Sequence, residues 1–256
     1  MPDIDAVRLH VSAQNLLLLN VSLGVIMFGV ALNLTIEDFR RLARQPQPAL
    51  VGVGSQFLLL PALTFALVWL LQPRPSIALG MILVAACPGG NISNFMSLNA
   101  DGNTALSVTL TAVATVGAIV LTPLNLSFWG GLYPPAASLL TSVDVSFWRV
   151  FKTVTLILGV PLVLGMTVRR LAPERAQRLS HWMQGLSILL FVGIVLAALR
   201  ANSDHLVGYI GVVFELVLIH NAVALGAGYQ LAYWAGLSTE NQQTLALETG
   251  IQNSGL

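Results

Sequence analysis

The sequence predicts an all-α polytopic membrane protein, and three observations carry that expectation. Of the 256 residues, 55% are hydrophobic and only 9% charged, against roughly 25% charged in an average soluble domain. The mean hydropathy is +0.79. The apolar residues are also gathered into about eight continuous runs, most of them near the ~20 residues a helix needs to cross hydrocarbon. Because the runs do not alternate every second residue, they fit helices and not barrel strands. The lipid bilayer is thus the first expected partner. A net charge of +1, with basic residues at the ends of apolar runs, removes the electrostatic case for nucleic acid. The single cysteine, Cys87, excludes an intramolecular disulfide and a multi-cysteine metal site.

Residues 1–15 hold Asp3, Asp5 and Arg8 and lack a basic region followed by a cleavage site, so the first apolar run is expected to be a retained helix. The expected spans are Leu16–Leu34, Ala49–Leu71, Ile77–Leu98, Thr104–Leu126, Val150–Val168, Met183–Leu199, Leu206–Trp234 and Thr244–Leu256. Arg40, Arg41 and Arg44 follow the first span, and Arg169, Arg170, Arg175 and Arg178 follow the fifth. The positive-inside rule makes that side cytoplasmic and places residues 1–15 outside. The Gly/Pro-rich stretch Gly130–Asp144 reads as a connection on the outer side.

Two spans carry residues that a plain membrane anchor avoids. In the third, Pro88-Gly89-Gly90-Asn91-Ile92-Ser93-Asn94 removes a backbone donor and loosens the helix at mid-depth. Broken backbone is tolerated there only inside protein or along a wet cavity, which is how transporters build ion sites. The eighth repeats the theme with Glu248-Thr249-Gly250-Ile251-Gln252-Asn253-Ser254-Gly255. A carboxylate inside a span costs about 2.5–3.5 kcal/mol on insertion scales. No Lys or Arg lies deep enough in any apolar run to offset it, so Glu248 is expected to hold either a bound cation or a proton. Two breaks at matching places point to an inverted repeat with its site where they cross. In the fourth span, Ser107 and Thr111 are four apart and share one helix face. Glu215 and His220 in the seventh read as a tolerated carboxyl and as a histidine bonded to a neighbouring helix. No nucleophile has a base beside it, and there is no His/Asp metal cluster, so an enzyme is not expected.

The ordered motifs Ile26-Met27-Phe28-Gly29-Val30-Ala31-Leu32, Gln56 ahead of Pro61-Ala62, Ala85 to Asn94, Ala105-Leu106-Ser107-Val108-Thr109 and Glu248 to Leu256 resemble the bile acid:sodium symporter family, from about Leu16 to the last residue. The resemblance implies a transporter domain over 16–256 in the cell (inner) membrane, with two broken, crossing helices. A panel bundle would use spans 16–34, 150–168 and 183–199, and a core bundle 49–126 and 206–256, with substrate in the cleft between them. It implies two sodium ions and no organic cofactor. One ion would use Ser93, Asn94, Ser107, Thr111 and Glu248. The other would use Gln56, Glu248, Gln252 and backbone carbonyls around Thr249 and Ile251. An organic anion, bile-acid-like or a small carboxylate, would sit near Asn253, Asn91 and Asn94 at the half-helix after the second break. Family members continue past the position of Leu256 and add another helix, so a longer, nine-span protein is expected. Proton coupling through Glu248, and a non-transporting ligand sensor of the same fold, are the alternative readings.

Overall fold

In a bilayer a backbone has no solvent to bond, so each apolar run must satisfy itself as helix. The computed structural model describes residues 13–44, 46–142, 146–201 and 203–253, and among them every regular element is helical. The first run forms α1 (Ala13–Ala31), followed by α2 (Ile36–Arg44), a short helix that carries the first group of arginines. The second run forms α3 (Pro46–Gly54) and α4 (Leu60–Leu71), joined without interruption by a π-helical turn at Ser55–Leu59. Pro61 explains that turn: it lacks the N–H that a regular helix would direct back to Phe57. The third run is two pieces, α5 (Pro75–Ala86) and α6 (Asn91–Asn99), separated by extended backbone at Cys87 and Gly90.

The fourth run is α7 (Thr104–Leu132), opened by Asn103, whose side chain accepts from the Leu106 N–H at 3.0 Å. The connection expected over Gly130–Asp144 is largely helical, since α7 continues to Leu132 and α8 (Pro134–Ser142) follows it. Prolines at the first turn of a helix remove no internal bond, which is why Pro134 and Pro135 begin α8 and do not prevent it. The fifth run forms α9 (Phe147–Val154), a second π-turn at Thr155–Gly159 and α10 (Val160–Leu171) with Pro161 at its start. The sixth and seventh are α11 (Pro173–Ala201) and α12 (Ser203–Trp234), and the eighth is α13 (Thr239–Gly250). α13 begins five residues before the expected Thr244, because its first turn is polar and capped by Ser238. Among the described residues, five helices are long and apolar enough to cross a membrane: Pro46–Leu71, Thr104–Leu132, Phe147–Leu171, Pro173–Ala197 and Val213–Trp234. The chain is a multi-pass membrane protein.

The helices fall into two compact units. One holds the described residues up to Thr35 with Lys152–Phe214; there α1 packs along α10 and α11. The other holds the described residues of 36–151 and 215–253, with α7 touching α3, α4, α5, α6 and α13. In this second unit α12 buries one narrow stripe, His220, Ala224, Gly228 and Ala232, each four residues from the next. Ala224 meets Leu60 and Ala85, while Ala232 lies among Leu106, Leu110 and Leu245. His220 pairs with Thr64 of α4 at 2.7 Å, as expected of a histidine bonded to a neighbouring helix. Small residues at this spacing let two membrane helices approach closely.

Gly228 is the closest point of that approach. A β-carbon there would lie 2.6 Å from the Leu245 carbonyl oxygen and 2.8 Å from the Thr249 side chain. Overpacking of this kind costs about 1–3 kcal/mol, and for a protein of this length each kcal/mol lowers the unfolding midpoint by about 2–4 °C. Gly228→Ala is therefore expected to unfold several degrees earlier in detergent, whereas Gly226→Ala, with nothing within 4 Å, leaves the midpoint in place.

Candidate functional site

The two breaks meet. Gly89 and Gln252 form an antiparallel bridge, the Gly90 N–H donates to the Ile251 carbonyl at 3.1 Å, and the Asn253 N–H donates to the Pro88 carbonyl at 2.8 Å. Each broken segment thus supplies the backbone partners that the other lost. α6 restarts at Asn91 and α13 ends at Gly250, so two helix ends face one crossing. The helix expected beyond the second break, with Ser254 and Gly255, lies outside the described residues.

Glu248 lies one turn before the crossing and is fully buried. Its carboxylate accepts from the hydroxyls of Ser93, of Ser107 at 2.5 Å and of Thr111 at 3.2 and 3.3 Å. The Gln56 amide donates to its other face at 3.2 Å. Its partners among the described residues are therefore all uncharged, and the ion pairs found elsewhere join Glu37 to Arg40 and Arg44 at the α2 surface. Asn94 Oδ1 lies 2.8 Å from Ser107 Oγ and 3.2 Å from Thr111 Oγ1. The Gly90 carbonyl lies 2.5 Å from Ser93 Oγ.

A proton count exposes the chemistry of this cluster. Each hydroxyl owns one proton, yet each faces at least two acceptors: Ser93 faces Gly90 O and Glu248, and Ser107 and Thr111 each face Asn94 and Glu248. Oxygen lone pairs converge in excess of the hydrogens available to them. Among the described residues, none of the groups that meet Glu248 carries positive charge.

The structure brings Gln56, Ser93, Asn94, Ser107, Thr111 and Glu248 into one site within the second unit. Thr249 sits at its edge with its hydroxyl 2.7 Å from Ser55 Oγ. Gln252 donates to the Thr249 carbonyl at 2.7 Å, while its own buried Oε1 has no hydrogen-bond partner among the described residues. The Ile251 carbonyl is engaged by Gly90. Asn253 is tied in through its backbone, and Asn91 opens α6 with its side chain outside those described. Sequence reasoning missed Ser97, whose hydroxyl donates to Ser107 at 3.3 Å. Its place four residues after Ser93, on the same face of α6, was the available signal. It also missed Ser55, which belongs to the π-turn and carries no pattern of its own.

The sequence matches the Sodium Bile acid symporter family over residues 20–209. It is 33% identical over 238 residues to the uncharacterized sodium-dependent transporter YocS of Bacillus subtilis (strain 168), covering 93% of this chain and 71% of that protein. It is 34% identical over 248 residues to the probable sodium/metabolite cotransporter BASS2, chloroplastic, of Oryza sativa subsp. japonica, covering 93% of this chain and 55% of that one. To the sodium/bile acid cotransporter 4 of Homo sapiens it is 31% identical over 247 residues, which are 92% of this chain and 54% of the relative. The chain thus spans about half the length of these last two relatives.

Gly89 is where backbone comes nearest the carboxylate. A β-carbon there would lie 2.8 Å from Glu248 Oε2 and 3.2 Å from the Gln56 amide nitrogen, whereas at Gly90 the nearest atom is 3.5 Å away. Gly89→Ala is expected to lower the thermal midpoint and Gly90→Ala to leave it unchanged, a contrast that a melting experiment on the two purified variants reads directly.

Proposed function

The chain belongs to the sodium bile acid symporter family, and on that premise we propose that it is the core of a sodium-coupled symporter that imports an organic anion. The observation that carries this reading is the surplus of oxygen around Glu248. A carboxylate, hydroxyls, amide oxygens and carbonyls are the hard, neutral-to-anionic ligands that an alkali cation prefers over softer metals. One cation would be held by Ser93, Asn94, Ser107, Thr111 and Glu248. A second would be held by Gln56, Glu248, Gln252 and the carbonyls of Thr249 and Ile251, and the unpartnered Oε1 of Gln252 supports it.

The anion would bind beside the crossing, at Asn253, Asn94 and Asn91, where the first turn of α6 offers the positive end of its dipole. A bile-acid-like steroid or a small carboxylate both satisfy that chemistry. The antiparallel meeting of the two breaks supports an inverted repeat. We assign the unit of α1, α10 and α11 as the panel and the unit around α7 as the core. The arginines of α2 and those at Arg169, Arg170, Arg175 and Arg178 support an inner-membrane placement with residues 1–15 outside. Cation and anion would then favour one another through the shared crossing, a coupling that is reciprocal by linkage.

A second reading has support in the same shell: a proton on Glu248 would also supply the missing positive charge and make it a proton carrier. The two separate cleanly. Sodium at ten times its dissociation constant adds about 1.4 kcal/mol to stability, so sodium chloride is expected to raise the melting midpoint saturably, potassium chloride is not, and Glu248→Ala abolishes the response. In liposomes, uptake of an organic acid follows a sodium gradient. An equal response to potassium, or uptake driven by a pH gradient alone, overturns the sodium reading.

A further inference from the structure

We infer that Asn125, far along α7 from the carboxylate cluster, is the residue that positions Gln56 in it. This rests on the sodium reading above and names a further determinant of the same site. Pro61 cannot donate the N–H that would close the helix onto the Phe57 carbonyl, four residues earlier. The carbonyl is buried, and a buried acceptor without a donor is costly. Asn125 takes over the missing role: its Nδ2 donates to the Phe57 carbonyl at 3.1 Å across the interface between α7 and the π-turn.

The orientation of that amide is itself fixed. The Trp129 indole N–H, a donor with no acceptor capacity, points to Asn125 Oδ1 at 3.0 Å, which leaves Nδ2 for Phe57. Asn125 is buried, so no solvent competes for it. Phe57 is the residue next to Gln56 in the π-turn, and the turn places Gln56 between Glu248, to which it donates, and the Gly89 N–H, from which it accepts at 3.4 Å. A π-turn interrupts the regular bonding register of the α-helix on either side. Its geometry therefore depends on the clamps that hold it: Ser55 to Thr249 on one side, and Trp129 through Asn125 to Phe57 on the other. The side-chain bonds of Asn125 go to Phe57 and Trp129, so it acts by fixing the backbone that aims the Gln56 side chain.

The test is a sodium titration of the melting midpoint of the whole chain in detergent, with choline chloride keeping ionic strength constant. Asn125→Ala is expected to raise the half-saturating sodium concentration about tenfold. Asn125→Asp, which still accepts from Trp129 but cannot donate to Phe57, does the same. Trp129→Phe, which removes only the orienting bond, has a smaller effect in the same direction and provides a milder variant if either substitution at 125 prevents folding. In a Gln56→Ala background, Asn125→Asp adds no further shift, because its action passes through Gln56. A lower midpoint with unchanged half-saturation, or full additivity with Gln56→Ala, assigns Asn125 a packing role and overturns the inference alone. A wild-type protein indifferent to sodium overturns the inference together with the sodium reading.

Discussion

Glu248 sets the constraint that the rest of the second unit obeys. A full negative charge inside a low-dielectric bundle is tolerated only if its surroundings supply compensating dipoles or a counter-ion. Here the dipoles come from Gln56 in the π-turn, Ser93 on α6, and Ser107 and Thr111 on α7. Sequence-distant elements must therefore converge on a single carboxyl group. Straight helices packed side by side could bring two or three of those side chains to a point. Bringing all of them there requires helix ends, and the breaks at 87–90 and after Gly250 provide those ends.

Breaking a helix in a membrane releases backbone groups that lipid cannot satisfy, and the fold answers several of these releases with a named partner. Gly90 and Asn253 exchange bonds with Ile251 and Pro88 at the crossing. Thr122 donates to the Ala86 carbonyl at 2.7 Å, where α5 stops, and Asn125 donates to the Phe57 carbonyl, where Pro61 withholds its N–H. Ser107, Thr111, Thr122 and Asn125 all belong to α7, which has no break of its own despite Pro123. With Thr115 and Ala118 between them they form a buried row at three- and four-residue steps on one face. α7 therefore serves as the continuous element against which the interrupted ones are registered, and it packs against every helix that contributes to the site.

The long apolar runs were legible because length and hydropathy decide membrane helices almost alone. The chemistry was legible where a residue was costly in its setting: Pro88-Gly89-Gly90 and Glu248 stand out in a lipid-soluble sequence without knowledge of any neighbour. The elements that escaped are those whose role depends on a partner far away in sequence. Asn125 reads as one more polar residue near a helix end until Phe57 is seen opposite it, 68 positions earlier. Thr64, 156 residues from His220, is in the same case: a bond from the histidine to a neighbouring helix was legible, its partner was not. The start of α13 escaped for a different reason. Glu240, Asn241, Gln242 and Gln243 are too polar for a span by hydropathy, yet the cap at Ser238 and the bond from Asn103 to Asn241 at 2.9 Å hold that turn as helix.

On the proposed reading, the absence of a basic partner for Glu248 among the described residues fits what a coupling site would have to do. A lysine or arginine at hydrogen-bond distance would compensate the carboxylate permanently, and breaking such a buried pair typically costs 3–5 kcal/mol. The charge of the site would then be fixed, and no external ion gradient could act on it. Neutral hydroxyls and amides compensate only in part, which leaves a residual demand for positive charge that a cation from either side of the membrane can meet and later relinquish. On that reading, because Gln56 also accepts from the Gly89 N–H and Ser93 also faces the Gly90 carbonyl, meeting that demand would order the crossing, and losing the cation would loosen it. On the proposed reading, the incomplete hydrogen bonding around Glu248 is therefore what makes an ion gradient able to do work on a second ligand, and a better satisfied site would be a more stable protein that transports nothing.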